Sequence, residues 1–266
     1  MTTQIFFVIL LTFIINLITT LSYSVRIVGI RTNRIAISFS LFNILVLISR
    51  TANGFQAPLL ANTVEKNIQA GIFNKSSDFQ WIILSSTIAT IIGGFLIPTF
   101  HRLLSKAVIS FSTKKSVPSL LIQSFSKAGV THFKESIAVP KMRNITQLKY
   151  TGDLPWGVFF MNVLAVAIIT VGVLSSLYAG YINPNLRATA SSLSAVINGF
   201  STILMFIFID PYLSAMTDDV VLGKCTEARF RKFIVYMVVA RIVGTLLAQL
   251  IFIPSAQFIA FVAKLL

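Results

Sequence analysis

The 266-residue chain is 55% hydrophobic, has a mean hydropathy of +0.84 and carries charge on only 11% of its residues, a composition that excludes a water-soluble globular fold. Its 22 Lys and Arg against 8 Asp and Glu give a net charge of +14. Because the basic residues fall between apolar runs, they fit an anionic membrane surface or an anionic substrate and not nucleic acid.

A bilayer core of about 30 Å needs about 20 apolar residues in helix, and six runs qualify. The first, Ile5 to Val25, has no basic leader and no small-residue cleavage site near its end, so it reads as a retained span. Arg26, Arg31 and Arg34 follow it. The second, Ile35 to Leu60, holds Arg50 in the stretch Ser49-Arg50-Thr51-Ala52-Asn53, together with Asn43 and Gln56. The third, Phe79 to Phe100, carries Ser85, Ala89 and Gly93 at a spacing of four.

A polar, basic segment then runs from His101 to Pro155. Within it, Pro118 to Ala128 places Leu120, Leu121, Phe125 and Ala128 on one helical face beside Lys114, Lys115 and Lys127. That pattern fits an interfacial helix on anionic lipid headgroups, or a solvated basic linker.

The fourth run, Trp156 to Ile182, has the stripe Gly172, Ser176, Gly180. The fifth, Ala188 to Ile209, has Ser191, Ala195 and Gly199 beside a more polar row of Ala190, Ser194, Asn198 and Thr202, and stops at Asp210-Pro211. The sixth, Phe233 to Ile253, contains Ala240, Gly244 and Ala248, with Arg241 and Gln249. Small residues at such spacing let helices approach closely in lipid, so these stripes read as packing surfaces. Asn198 stands apart, because a carboxamide in hydrocarbon needs a partner or water.

These elements predict an all-α polytopic membrane protein with two three-helix halves. Residues 1–100 form the first, 156–266 the second, and 101–155 a basic cytoplasmic segment between them. Sixteen Lys and Arg fall on the side of that segment and four on the other, which puts both termini outside the cytoplasm. Odd halves are oppositely oriented, as in inverted-repeat transporters, although only a vague echo links Arg31-to-Asn43 with Arg187-to-Asn198.

No enzyme motif is present. His101 and His132 stand alone, no HExxH, GxSxG, Walker or dinucleotide glycine pattern occurs, and Cys225 lies in a charged loop without a nearby His. No cofactor is implied. What does stand out is cationic. Arginine at bilayer depth faces a bundle interior or a wet cavity. Arg50 and Arg241 therefore read either as an anion site or as partners of an internal salt bridge, for which Asp210 is the one carboxylate at a span end. One acid cannot neutralise both, and guanidinium groups match diphosphate oxygens bidentately. Arg26, Arg31 and Arg34 read as headgroup capture at the cytoplasmic mouth or as simple membrane anchoring.

The block Ser22-Tyr23-Ser24-Val25-Arg26-Ile27-Val28-Gly29-Ile30-Arg31-Thr32, continuing through Ile35-Ala36 and Phe42-Asn43 to Ser49-Arg50-Thr51-Ala52-Asn53, resembles the Amj family of bacterial lipid II flippases. The resemblance extends over most of the chain in length, span number and basic central segment. It implies movement of the undecaprenyl-diphosphate-linked peptidoglycan precursor lipid II from the cytoplasmic to the outer leaflet of a bacterial cell membrane, in parallel with an unrelated, larger flippase.

A cationic cavity would then shelter the diphosphate. Arg50, Asn53, Asn198 and Arg241 are its expected lining, with Arg26, Arg31 and Arg34 at its mouth and anionic membrane lipids around it. Two alternatives stay open: a six-span transporter or substrate-binding subunit for a small anionic metabolite, and a non-transporting membrane scaffold.

Overall fold

A computed structural model describes residues 2–116, 136–138 and 155–266. All six expected spans are present as long apolar helices. Helices α1 (Thr3–Leu21) and α2 (Tyr23–Thr32) make the first, α3 (Ile35–Gln69) the second, α4 (Ser76–Lys114) the third and α5 (Trp156–Ile182) the fourth. The fifth is α6 (Arg187–Leu204), a π turn at Met205–Ile209 and α7 (Asp210–Val221), and the sixth is α8 (Glu227–Leu265). The interfacial helix expected at Pro118 to Ala128 lies outside the described residues.

Most helices run well past the apolar stretches that mark them. Hydropathy registers only the part in hydrocarbon, whereas a helix satisfies its own backbone and continues into water wherever side chains allow. Thus α4 does not stop near Phe100 but continues to Lys114, about 20 Å further at 1.5 Å per residue. The first membrane half and the basic segment therefore share one helix.

Chain direction puts Arg31, Arg102 and Glu227 at one end of the bundle and Glu65, Lys75 and Arg187 at the other; these ends are called the basic and far faces. Trp156 at the start of α5 and Trp81 near the start of α4 are exposed near the two faces, as interfacial belts require.

Within the first half, α1 packs on α3 and α4, and α2 on the same two helices; within the second, α5 packs on α6 and α8. Small residues set these approaches. A Cβ on Gly93 would lie 2.8 Å from Thr20 Cβ, and Ser85 Oγ donates to the Ile9 carbonyl at 3.0 Å, which seats α4 on α1. A Cβ on Gly244 would meet the Val163 carbonyl oxygen at 2.7 Å, so α8 and α5 touch backbone to backbone there.

Near the far face the halves share one core, in which Leu60 and Val64 of α3, Phe79 of α4, Leu177 and Tyr178 of α5 and Phe252 of α8 are all buried. At the basic face the turn from α2 into α3 is tight. Asn33 takes left-handed backbone at φ 53°, and a Cβ on Gly29 would approach Ile35 Cα to 2.9 Å.

Candidate substrate groove

Helix α3 divides its sides between two neighbours. Gln56 Nε2 donates to Thr12 Oγ1 at 2.8 Å and Thr63 Oγ1 to Gln4 Oε1 at 3.2 Å, which fixes the side toward α1. Leu60, Ala61 and Val64 pack toward α5, and a Cβ on Gly180 would lie 3.7 Å from Val64. At 100° per residue, Arg50, eleven residues before Ala61, and Asn53, seven before Leu60, return to within about 20° of that second side. Both are exposed. Neither has a hydrogen bond or ion pair among the described residues.

Arg187, at the start of α6, meets Glu65 of α3 with Nε 3.7 Å from Oε1, and this far-face contact is the described ion pair between the two helices. Below it α6 turns to α5. Ser201 Oγ donates to the Ala165 carbonyl at 2.7 Å, and Asn198 fills the notch at Gly172, where a Cβ would stand 2.5 Å from its Oδ1.

The face of α6 left over carries Ala195, Val196, Gly199, Phe200 and Ile203, all exposed, with open space over Gly199. Fifteen residues from Glu65 lead to Arg50, and fifteen from Arg187 lead to Thr202. At 1.5 Å per residue both stand about 22 Å below the ion pair. Of the Ser191, Ala195, Gly199 stripe, expected to pack, Ser191 is half-buried while Gly199 faces open space.

These two faces bound a candidate groove between α3 and α6, with Arg50 and Asn53 exposed on one side and Ala195, Val196, Gly199 and Phe200 exposed on the other. Pro58 has no N–H to offer the Gly54 carbonyl, which leaves that oxygen free one turn from Arg50. Leu47 is exposed next to Arg50, and Ile48 and Phe55 are exposed further round α3, so this helix also faces lipid tails.

At the basic face Arg26 stands between the walls. Its Nη1 donates to Ser214 Oγ of α7 at 3.1 Å, its Cζ lies 5.3 Å from the Phe39 ring centroid of α3, and Asp210 and Asp218 are its electrostatic neighbours. Asp210 is an electrostatic neighbour of Arg26, and no described ion pair joins it to Arg50 or Arg241, the pairing considered from sequence.

The structure does not bring all the expected lining together. Arg241 is buried at 5% exposure against α1, where Nη2 donates to Asn16 Oδ1 at 3.3 Å and Nε has no partner among the described residues. Asn162 reaches the Tyr23 hydroxyl at 3.5 Å and the Met237 carbonyl at 3.1 Å. Asn16 Nδ2 donates to the Thr12 carbonyl at 3.0 Å, so a polar file runs from Arg241 through α1 to Gln56 on α3. Its amides take the place of the missing carboxylate.

Asn198 lies near the groove, but its Oδ1 is buried toward Gly172 without a partner. Arg31 and Arg34 are at the basic face, outside the groove; Arg31 is tied to Glu227 and His101, and Arg34 is exposed ahead of α3. The described residues hold no His, Cys, Asp and Glu cluster fit for a metal ion.

Six apolar helices long enough to cross a bilayer define an α-helical, multi-pass membrane protein. The chain belongs to the Amj family, described as Alternate to MurJ, which matches residues 11–263. It is 37% identical to the lipid II flippase Amj of Bacillus subtilis (strain 168) over 99% of this chain and 98% of that protein. No solved structure matches it.

Proposed function

We propose that this protein is a lipid II flippase of the bacterial cell membrane, which carries the diphosphate and sugars of its cargo along the α3–α6 groove while the polyprenyl tail stays in lipid. The basic face is cytoplasmic, both termini are outside, and the work is transport and not catalysis. Full-length similarity to the named relative supports the cargo. The observation that carries the mechanism is Arg50, without a hydrogen bond or ion pair among the described residues, beside Asn53 at bilayer depth on an exposed side of α3.

A lone guanidinium there is costly, by about 2.5 to 3.5 kcal/mol on insertion scales, unless water or an anion meets it. A diphosphate is the anion its forked donors match. Arg26, between α3 and α7, receives the headgroup at the cytoplasmic end. A small soluble anion would need no side opening beside the exposed Leu47, so the groove favours a lipid-linked cargo over a free metabolite.

The test is growth. Expressed in a bacterium deprived of its other lipid II flippase, the wild-type chain restores growth and cell shape. Failure to do so at normal membrane levels would remove the proposal.

A further inference from the structure

A second cationic feature lies on the outside of the bundle, at the basic-face end of α4. A cleft of about 380 Å³ is lined there by Arg31 of α2, by His101, Arg102 and Lys106 of α4, and by Ser136. No carboxylate is among its described lining residues.

One wall is held firmly. Arg31 donates from Nε to Glu227 Oε1 at 2.7 Å, places Nη2 2.7 Å from the same oxygen, and donates from Nη1 to His101 Nε2. A guanidinium only donates, so Nε2 accepts and the imidazole proton sits on Nδ1, which is directed at the Ile97 carbonyl at 3.3 Å. This one arginine ties α2 to α4 and α8.

Arg102 differs, for it has no hydrogen bond or ion pair among the described residues. Its position on the helix is informative. Arg102 follows Phe95 by seven residues and Ile88 by fourteen, and Lys106 follows Phe95 by eleven, so both continue the face on which Ile88, Ile91 and Phe95 are exposed. That face meets lipid tails higher up. The cations emerge where it leaves the hydrocarbon, and the exposed Ile109 lines the cleft beside them. A free phosphate gains nothing from an apolar stripe above it, whereas a lipid phosphate places its chains there.

We propose that this cleft seats the phosphate of an acidic lipid in the leaflet at the basic face, with Arg102 and Lys106 toward the phosphate oxygens and the chains along Phe95, Ile91 and Ile88. The shared chemistry is a phosphate on a lipid, which phosphatidylglycerol and undecaprenyl diphosphate both carry. The site stands whether or not the cargo is lipid II.

Native mass spectrometry of the full-length protein tests it, with phosphatidylglycerol, phosphatidylcholine, undecaprenyl diphosphate and inorganic diphosphate as probes. Phosphatidylglycerol adducts exceed phosphatidylcholine adducts on the wild-type protein, fall about tenfold in the double variant Arg102→Gln, Lys106→Gln and return in Arg102→Lys, Lys106→Arg. Arg50→Gln leaves them unchanged, which separates this cleft from the groove.

Displacement of phosphatidylglycerol by undecaprenyl diphosphate makes the cleft a loading site for a lipid-linked diphosphate; no displacement makes it a seat for bulk acidic lipid, and either agrees with the proposal. Equal adducts on wild type and the Gln variant would overturn it, as would binding of inorganic diphosphate with no preference among lipids.

Discussion

Arg50 and Arg241 stand at similar depth in opposite surroundings. Arg50 is fifteen residues from the start of α3 and Arg241 fourteen from the start of α8, about 21 to 22 Å into each helix from the basic face. Sequence placed both within spans, because a charge inside an apolar run is plain. It did not separate them, since Arg241 is partnered by Asn16, 225 residues away. The difference predicts opposite responses. Arg241→Ala strands the buried Asn16 oxygen and lowers stability by about 1 to 3 kcal/mol, read as a lower unfolding temperature in detergent. Arg50→Ala removes an exposed cation, so the unfolding temperature holds while transport falls.

Among elements, the stripes of small residues were legible and their directions were not. Spacing of four marks Gly244 and Gly199 equally, yet one meets the Val163 carbonyl and the other faces open space. Gly244→Ala must push two backbones apart and costs about 1 to 3 kcal/mol, whereas Gly199→Ala leaves stability unchanged; comparing their unfolding temperatures checks this. The π turn at Met205–Ile209 left no sequence signal beyond Pro211. It changes the register of the fifth span between the depth of Arg50 and that of Arg26, and so sets Ser214 of α7 toward Arg26. Deleting Ile207 removes the extra residue, rotates Ser214 by about 100° and separates it from Arg26. Transport is expected to drop severalfold at unchanged membrane levels, by the growth test above.

Besides the shared core, two ion pairs among the described residues join the halves at opposite ends: Arg31 with Glu227 at the basic face and Arg187 with Glu65 at the far face, at 2.7 Å and 3.7 Å. The six spans and the excess of basic charge on one side were readable from run length and counting. These pairs were not, because each joins residues more than a hundred positions apart. The clustering of His101, Arg102 and Lys106 was missed for another reason: the basic segment reads as a linker, while α4 carries its first turns as rigid helix.

If the groove must open at the far face to release cargo, fixing Glu65→Cys to Arg187→Cys with a short cleavable bis-maleimide, in a Cys225→Ser background, stops transport, and cleaving the link restores it. Transport unaffected by the link would show that the far end need not part.

Lipid II accessibility at the outer surface, measured in cells that rely on this protein alone, bears most directly on the groove. With Arg50→Ala present at wild-type membrane levels, surface lipid II is predicted to fall to the level of cells lacking the protein. Surface lipid II equal to that of the wild type would contradict the groove as the path of the diphosphate.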